Sequence, residues 1–373
     1  MADLVFYGTL RHAPLLERIL GRAPRGVVPA RIPGHAVHWV ADEPFPMIMP
    51  NADASAPALL LRDASAEDVA RLDFYEGGFA FDLRDVDVDT DQGPARARIY
   101  MPRKGHWSPG PEWSLEDWLR DWGRVSMDAA AEVMDRYGRQ PVEQVHALLP
   151  MFRARAWARR LAEAGAPSTL RRAPAEGEVD LRLRDDGYDG FMRLRRFDLQ
   201  HRTFDGNWSE PLTRETLVSF DVALVLPYDP VTDKVLLVEQ VRYGPLLRGD
   251  PAPWVLEPVA GFVDAGELPE VAARRETREE AGLDLHELLP MVRAYSSPGY
   301  STEFFHLFLG LCDLSGRERA HGGLADENED IRSHAIPFDD AMALLDSGEV
   351  NVAPLAMMLL WLARHRERLR ASA

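Results

Sequence analysis

Between Gly261 and Leu283 the chain reads GFVDAGELPEVAARRETREEAGL, and this stretch narrows the possible folds more than any other. Gly261 is followed after five residues by Glu267. Seven residues further on come Arg275-Glu276, then Glu279-Glu280 and Gly282-Leu283. Ala, Arg and Glu dominate Leu268 to Ala281, which predicts a helix. Pro269 falls in its first turn, where a missing N–H costs nothing. Gly282 stands at its C-terminal end, where a left-handed residue is wanted. On that helix Glu276, Glu279 and Glu280 lie at i, i+3 and i+4 and share a face. Like charges so placed repel unless a cation sits between them, and a hard divalent ion such as Mg2+ takes oxygen ligands. The plain alternative is a solvated acidic face. A surface helix, however, has no need of two adjacent glutamates on the side of Glu276.

Bulk properties bound the rest. A chain of 373 residues is too long for one ordinary core, so two domains are expected. A formal net charge of −17 argues against a nucleic-acid or anionic-membrane partner. It leaves room for an anionic nucleotide where metal and local arginines offset the field. The single cysteine, Cys312, sits in the apolar run HLFLGLCDL and reads as a buried small hydrophobe. The start MADLVFYGTL lacks a basic leader with a long apolar core, and no apolar run approaches the ~20 residues of a membrane helix. A reducing, cytoplasmic setting is the expectation.

Along the chain, residues 1–138 alternate strand-like runs (LVFYGTL, ALLLR, RARIYMP) with helical ones, and Leu115 to Tyr137 reads as one helix rich in tryptophan. Residues 139–178 read as a connector holding one amphipathic helix, about Pro150 to Ala164. Residues 179–373 form a second domain in which strands precede the glutamate helix and further strands and two helices follow it. Strands, then a helix, then strands suggest a mixed α/β sandwich rather than a regular parallel sheet.

The Gly261–Leu283 stretch resembles the Nudix box, G-x5-E-x7-R-E-U-x-E-E-x-G-U with U aliphatic. Gly261, Glu267, Arg275, Glu276, Glu279, Glu280 and Gly282 fill its fixed places, and Thr277 is the one departure. Glu239-Gln240-Val241-Arg242, Pro253-Trp254, Glu257, Ser297-Pro298-Gly299 with Glu303, and the run from Gly322 to Arg332 extend the likeness to the bacterial ADP-ribose pyrophosphatases. The resemblance implies a Nudix α/β/α sandwich with a mixed sheet, and Mg2+ (or Mn2+) held by Glu276, Glu280, the Ala260 carbonyl and Glu329. It makes Glu327 the general base, with the roles of Glu327 and Glu329 open to exchange. It associates the Pro298 loop with ADP-ribose preference. Arg242 reads either as a solvated arginine at a strand end or as a bidentate contact to substrate phosphate. Glu303 is a candidate for the ribose or for a metal-bound water. Arg275 would orient the glutamates, and Glu267 would bind metal or pin the loop. The strands from Val179 to Leu217 imply exchange between the protomers of a homodimer.

Near the start, Tyr7-Gly8-Thr9-Leu10 ends an apolar strand, and such a turn exposes successive N–H groups as an anion nest. Leu72-Asp73-Phe74-Tyr75-Glu76-Gly77 comes some sixty residues later. Together these resemble the gamma-glutamylcyclotransferase-like (AIG2-like) family, a small β-barrel with helices. The resemblance implies that Tyr7, Gly8, Thr9 and Leu10 hold the α-carboxylate and that Glu76 is the general base of 5-oxoproline release. That family carries a tyrosine and an arginine just after the glutamate; here stand Phe79 and Phe81, with Arg84 displaced. Fusions of the two folds resemble bacterial proteins labelled for tellurite resistance.

The leading expectation is therefore an α/β (α+β) enzyme. It would cleave the pyrophosphate of ADP-ribose to AMP and ribose 5-phosphate, with a cyclotransferase-like domain attached. The rivals are another nucleoside diphosphate sugar as substrate, or a nucleotide-binding regulator without turnover.

Overall fold

The structure is a computed structural model that describes residues 2–172, 175–184, 187–323 and 330–372. It divides into two compact units, residues 1–160 and 161–373.

In the first unit the strands are β1 (Ala2–Phe6), β2 (Val27–Val40), β3 (Pro46–Ala64), β4 (Phe81–Thr90), β5 (Gly93–Pro102) and β6 (Pro109–Glu112). The helices are α1 (Ala13–Leu20), α2 (Ala66–Glu76), α3 (Leu115–Asp121), α4 (Gly123–Met134), α5 (Val142–Ala147) and α6 (Leu149–Ala162). The strand order β3-β1-β5-β4-β2 closes on itself because β2 also pairs with β3, giving a five-stranded barrel with β6 on the outer edge of β2. Closure leaves those five strands without a free edge. Leu4, Leu60, Ile32 and Ile99 are fully buried inside. Helix α2 begins with a capping box, the Ser65 hydroxyl accepting from the Asp68 N–H while the Asp68 carboxylate accepts from the Ser65 N–H.

Two expectations need correction here. Leu115 to Tyr137 is not one helix: Trp122 adopts φ −126° and ψ −14° and separates α3 from α4. The stretch from Val142 to Arg160 is not a connector either, because Val145 and Phe152 are fully buried in the core of the first unit. An amphipathic pattern predicts a helix there; what that helix buries against is a tertiary fact.

In the second unit β7 (Val179–Leu183), β8 (Tyr188–Asp189), β9 (Arg193–His201) and β10 (Leu212–Val218) form a small antiparallel sheet centred on β9. The larger sheet holds β11 (Asp221–Asp229), β12 (Lys234–Val241), β13 (Trp254–Glu257), β14 (Val259–Phe262), β15 (Glu287–Tyr295), β16 (Phe304–Leu311), β17 (Arg319–Gly322) and β18 (Ile331–Pro337). Its main order is β15-β16-β11-β12-β18-β17, with β13 on β12 and β14 on β11. The β11–β16 pair is parallel and the others are antiparallel, so the sheet is mixed. The helices are α7 (Tyr243–Arg248), α8 (Pro269–Ala281), α9 (Phe338–Ser347) and α10 (Ala353–Ala371).

Every residue of β11 is buried, as a strand covered on both faces should be. Val222, Leu224, Leu226 and Tyr228 pack with Phe338 and Ala341 of α9 and with Leu355, Met358 and Leu362 of α10. The alternate residues face the other way, toward α8. The result is an α/β/α sandwich in which α8, the glutamate helix, lies against β11 and β14. Cys312 is buried, and burial, with the nearby Asp229, pushes its thiol up to about 12, so it is inert. Among the described residues no helix is long and apolar enough to cross a membrane.

Candidate functional sites

The glutamate helix is built as its composition demands. Pro269 opens α8, and Gly282 closes it at φ 60°, donating its N–H to the Arg278 carbonyl at 3.0 Å. Thr277, the residue out of pattern, is fully buried, and its hydroxyl donates to the Ala273 carbonyl at 2.7 Å. Bonding back one turn satisfies the hydroxyl, so a threonine fills an aliphatic place without an orphaned polar atom.

Arg275 organises the carboxylates. Its Nε and Nη2 donate to the two oxygens of Glu267 at 3.1 and 3.0 Å, and its Nη1 donates to Glu276 at 2.6 Å and to Glu279 at 3.1 Å. Nη2 also donates to the Phe262 carbonyl at 3.1 Å, tying the helix to β14. Burial alone would lower the pKa of this guanidinium, but Glu267 and Glu276 raise it above its ordinary value. Glu267 also accepts from the Asp264 N–H at 3.2 Å, so it pins the loop before the helix. Glu280 is buried, and its carboxylate accepts from the Ala260 N–H at 3.1 Å. The Glu276 carboxylate lies against the α-carbon of Gly261, in the place a Cβ would take.

Glu276, Glu280 and Ala260 are thus together at one end of β14. Hard oxygen donors on two carboxylates and a neighbouring carbonyl suit a divalent cation, which fits the donor chemistry expected for Mg2+. Among the described residues no three His, Cys, Asp or Glu side chains gather closely enough to hold a metal. Glu327 and Glu329, the expected base and further ligand, lie outside the described residues.

Arg242, at the end of β12, donates from Nε to Glu257 at 2.7 Å. Burial raises the pKa of Glu257, and Arg242 opposes that rise. Pro298 is exposed in the loop between β15 and β16, and Glu303 is half-buried just beyond it. That loop is tied to β10: the Leu217 N–H donates to the Tyr300 carbonyl at 2.7 Å, and the Thr302 N–H to the Leu217 carbonyl at 3.0 Å.

In the first unit, the end of β1 and the end of α2 meet at a cavity of about 60 Å³. Tyr7, Gly8, Thr9 and Leu10 line it together with Glu76. The α5 helix braces the Glu76 end of α2, since His146 Nε2 lies 2.9 Å from the Phe74 carbonyl. Phe79 and Phe81 form an aromatic wall with Phe45, whose ring centre is 5.0 Å from that of Phe79. Arg84 is exposed and does not line the cavity. Arg153 of α6, a residue that sequence reasoning misses, does line it. Nothing in a helical pattern marks which polar residue faces a cavity.

Glu76 is 8% exposed, and no hydrogen bond or ion pair engages it among the described residues. Burial, helped by the charge of Asp73, pushes its pKa up to about 8. A carboxylate poised near neutrality is suited to general-base work. The folded state therefore keeps a proton that the unfolded chain loses above its ordinary value of 4.5. Stability from this group falls as pH rises from about 4.5 through 8 and is flat above. Glu76→Gln is expected to stabilise the first unit at pH 9 by about 2–4 kcal/mol and to change little at pH 5. Urea unfolding at the two pH values checks this; an equal difference at both would remove the burial argument.

Comparison with known proteins accords with both halves. A NUDIX domain model matches residues 219–356, and a model for gamma-glutamyl cyclotransferase, AIG2-like, matches residues 4–120. The ADP-ribose pyrophosphatase of Escherichia coli (strain K12) is 36% identical over 204 residues, covering 55% of this chain and 97% of that protein. The ADP-ribose pyrophosphatase of Haemophilus influenzae is 38% identical over 187 residues, 50% of this chain and 86% of that protein. The GDP-mannose pyrophosphatase of Shigella flexneri serotype 5b is 32% identical over 140 residues, 38% of this chain and 72% of that protein. The chain belongs to the Nudix family, its Nudix domain preceded in sequence by an AIG2-like gamma-glutamyl cyclotransferase domain.

Proposed function

We propose that the Nudix domain is a Mg2+-dependent hydrolase that splits the pyrophosphate of ADP-ribose into AMP and ribose 5-phosphate. The observation that carries this is the Arg275 fork, which holds Glu267, Glu276 and Glu279 in one arrangement while Glu280 reaches the Ala260 amide. Glu276, Glu280 and the Ala260 carbonyl would hold the ion, with Mn2+ as a substitute. Bound there, it neutralises phosphate charge and lowers the pKa of the attacking water. Arg275 keeps the carboxylates oriented and does not itself touch substrate. Arg242, released from Glu257 or sharing it, would meet a phosphate; Glu303 and the Pro298 loop are the proposed ribose side. Glu327 takes the proton from water and Glu329 is a further ligand.

The second reading, hydrolysis of another nucleoside diphosphate sugar, draws on the likeness to a GDP-mannose pyrophosphatase. Binding without turnover is disfavoured by the complete carboxylate set. A panel of nucleoside diphosphate sugars with Mg2+, scored for nucleoside monophosphate and sugar phosphate, tests all three. ADP-ribose is expected to have the highest kcat/KM. A larger value for GDP-mannose would move the assignment to the second reading, and no product from any sugar would move it to the third. Glu327→Gln and Glu329→Gln are each expected to slow ADP-ribose cleavage by about 10²–10³-fold.

A homodimer is part of this reading. The small sheet exposes Val179, Leu181 and Leu183, an apolar row suited to a second protomer. The reaction is proposed for the cytoplasm. For the first unit we infer cyclotransfer: the α-amine of a γ-glutamyl group loses a proton to Glu76 and attacks the γ-carbonyl. The amide C–N bond then breaks, and the amine leaves with a proton as 5-oxoproline forms.

A further inference from the structure

The cavity in the first unit is completed from outside the stretch that the cyclotransferase model matches. That match ends at residue 120, and α4 to α6 follow it. Ser126 on α4 and Leu149 and Arg153 on α6 line the cavity with Glu76 and Tyr7. Among the described residues lining it, Arg153 is the sole cation. Its side chain is 19% exposed, with Nη1 3.2 Å from Glu43 and the guanidinium 5.7 Å from the centre of the Phe45 ring. The helix presenting it is firmly seated: Phe152 beside it is fully buried, and Arg155 donates to the buried Glu132 at 2.8 Å.

Two further observations call for a ligand. The Tyr7 hydroxyl is buried with only the Ile48 backbone near enough to meet it and no side-chain partner, and Glu76 makes no hydrogen bond among the described residues. Buried polar groups left so are costly, and a bound polar molecule satisfies them. Arg153 comes to the cavity from α6 and Glu76 from the end of α2, so the cavity's cation and its carboxylate are supplied by different elements. Phe45, Phe79 and Phe81 line the same cavity, and the Arg153 guanidinium lies beside the Phe45 ring. A suitable occupant therefore offers a polar group to Glu76, an apolar part to the aromatic side chains and an anion to Arg153.

We propose that Arg153 is a specificity-determining residue of this pocket, recognising a carboxylate on the leaving-amine side of a γ-glutamyl ligand. The pocket then prefers γ-glutamyl conjugates of apolar amino acids to the corresponding amines. This rests on reading the pocket as a γ-glutamyl site; Arg153 takes over the anionic end that Phe79, Phe81 and the displaced Arg84 leave without a cation.

Two probes that differ only in a carboxylate test it: γ-glutamyl-phenylalanine and γ-glutamyl-2-phenylethylamine. Calorimetric titration into the full chain carrying Glu76→Gln prevents turnover. The dipeptide is expected to bind about tenfold or more tightly than the amine, the size of a charge-assisted hydrogen bond. Adding Arg153→Gln should remove that preference and leave amine binding unchanged. Arg153→Lys, which keeps the charge and the stem, should retain part of it. Glu43→Gln, which removes the competing carboxylate, should tighten dipeptide binding, and this variant leaves α6 untouched. Equal binding of the two probes, a preference that survives Arg153→Gln, or no binding of either probe overturns the proposal. Arg153-dependent preference without 5-oxoproline release by the unmodified chain upholds it and removes the cyclotransferase activity instead.

Discussion

Replacing Gly261 with alanine is expected to slow the proposed ADP-ribose cleavage by about a hundredfold or more while leaving the second unit folded. Gly261 lies in β14, opposite Ala223 of β11, with ordinary backbone angles, so left-handed conformation is not the issue. The issue is space. A methyl group there would coincide with the Glu276 carboxylate. That carboxylate cannot simply swing aside, because Arg275 holds it at 2.6 Å and holds Glu267 and Glu279 at the same time. Displacing it by an ångström moves a proposed metal ligand out of line, and misplacement on that scale costs about 10²-fold in rate. The overpacking itself costs about 1–3 kcal/mol, which a thermal melt will register. Gly282→Ala is the control. Its Cβ would meet nothing within 4 Å, but φ is 60°, so it should lose about 1 kcal/mol of stability and little rate. A folded Gly261→Ala enzyme with nearly unchanged kcat would show that Glu276 needs no fixed position.

The contrast between these two glycines shows what a reader of the chain can and cannot infer. Gly282 is legible: it ends an Ala-Arg-Glu helix where a left-handed cap is wanted, and it adopts one. Gly261 is legible only as a fixed place in a motif. The reason for it, a carboxylate from a residue fifteen positions on, is set by how α8 lies on β14. The burial of β11 is visible as an apolar run, and Thr277 is visible as an exception, though not its bond to Ala273. The α3–α4 break is only faintly visible, since Gly123 beside Trp122 is a poor helix former but a lone glycine inside a helical pattern is tolerated. Nor is the seating of α5 and α6 on the barrel, because an amphipathic pattern states that a face is buried without stating against what. Arg153 is hidden for the same reason, as is the pairing of Arg242 with Glu257, which joins two strands.

Arg155→Ala should be the most damaging single change in the first unit, at about 3–5 kcal/mol. Arg155 is fully buried and Glu132 is 3% exposed at its side chain. The guanidinium approaches both carboxylate oxygens, with Nε at 3.3 and 3.2 Å and Nη2 at 2.8 Å, and stacks 5.3 Å from the centre of the Phe152 ring. The pair joins α6 to α4, the two helices that close the cavity. Truncating the arginine takes a close, fully buried cation from a carboxylate that water does not reach; Arg159, at 4.0 Å, is half in solvent and a weak substitute. The cost therefore comes more from the uncompensated Glu132 charge than from the attraction that the pair supplies. A double variant follows from this: Arg155→Met with Glu132→Leu removes both charges and fills similar volume, so it should recover most of the stability. Urea unfolding of the first unit, read by hydrogen exchange in α4 and α6, measures both. A single variant costing under about 1 kcal/mol would mean that the pair is solvated. A double variant no better than the single would mean that the loss lies in packing against Phe152, and Arg155 would then count as a filler of space rather than a counter-charge.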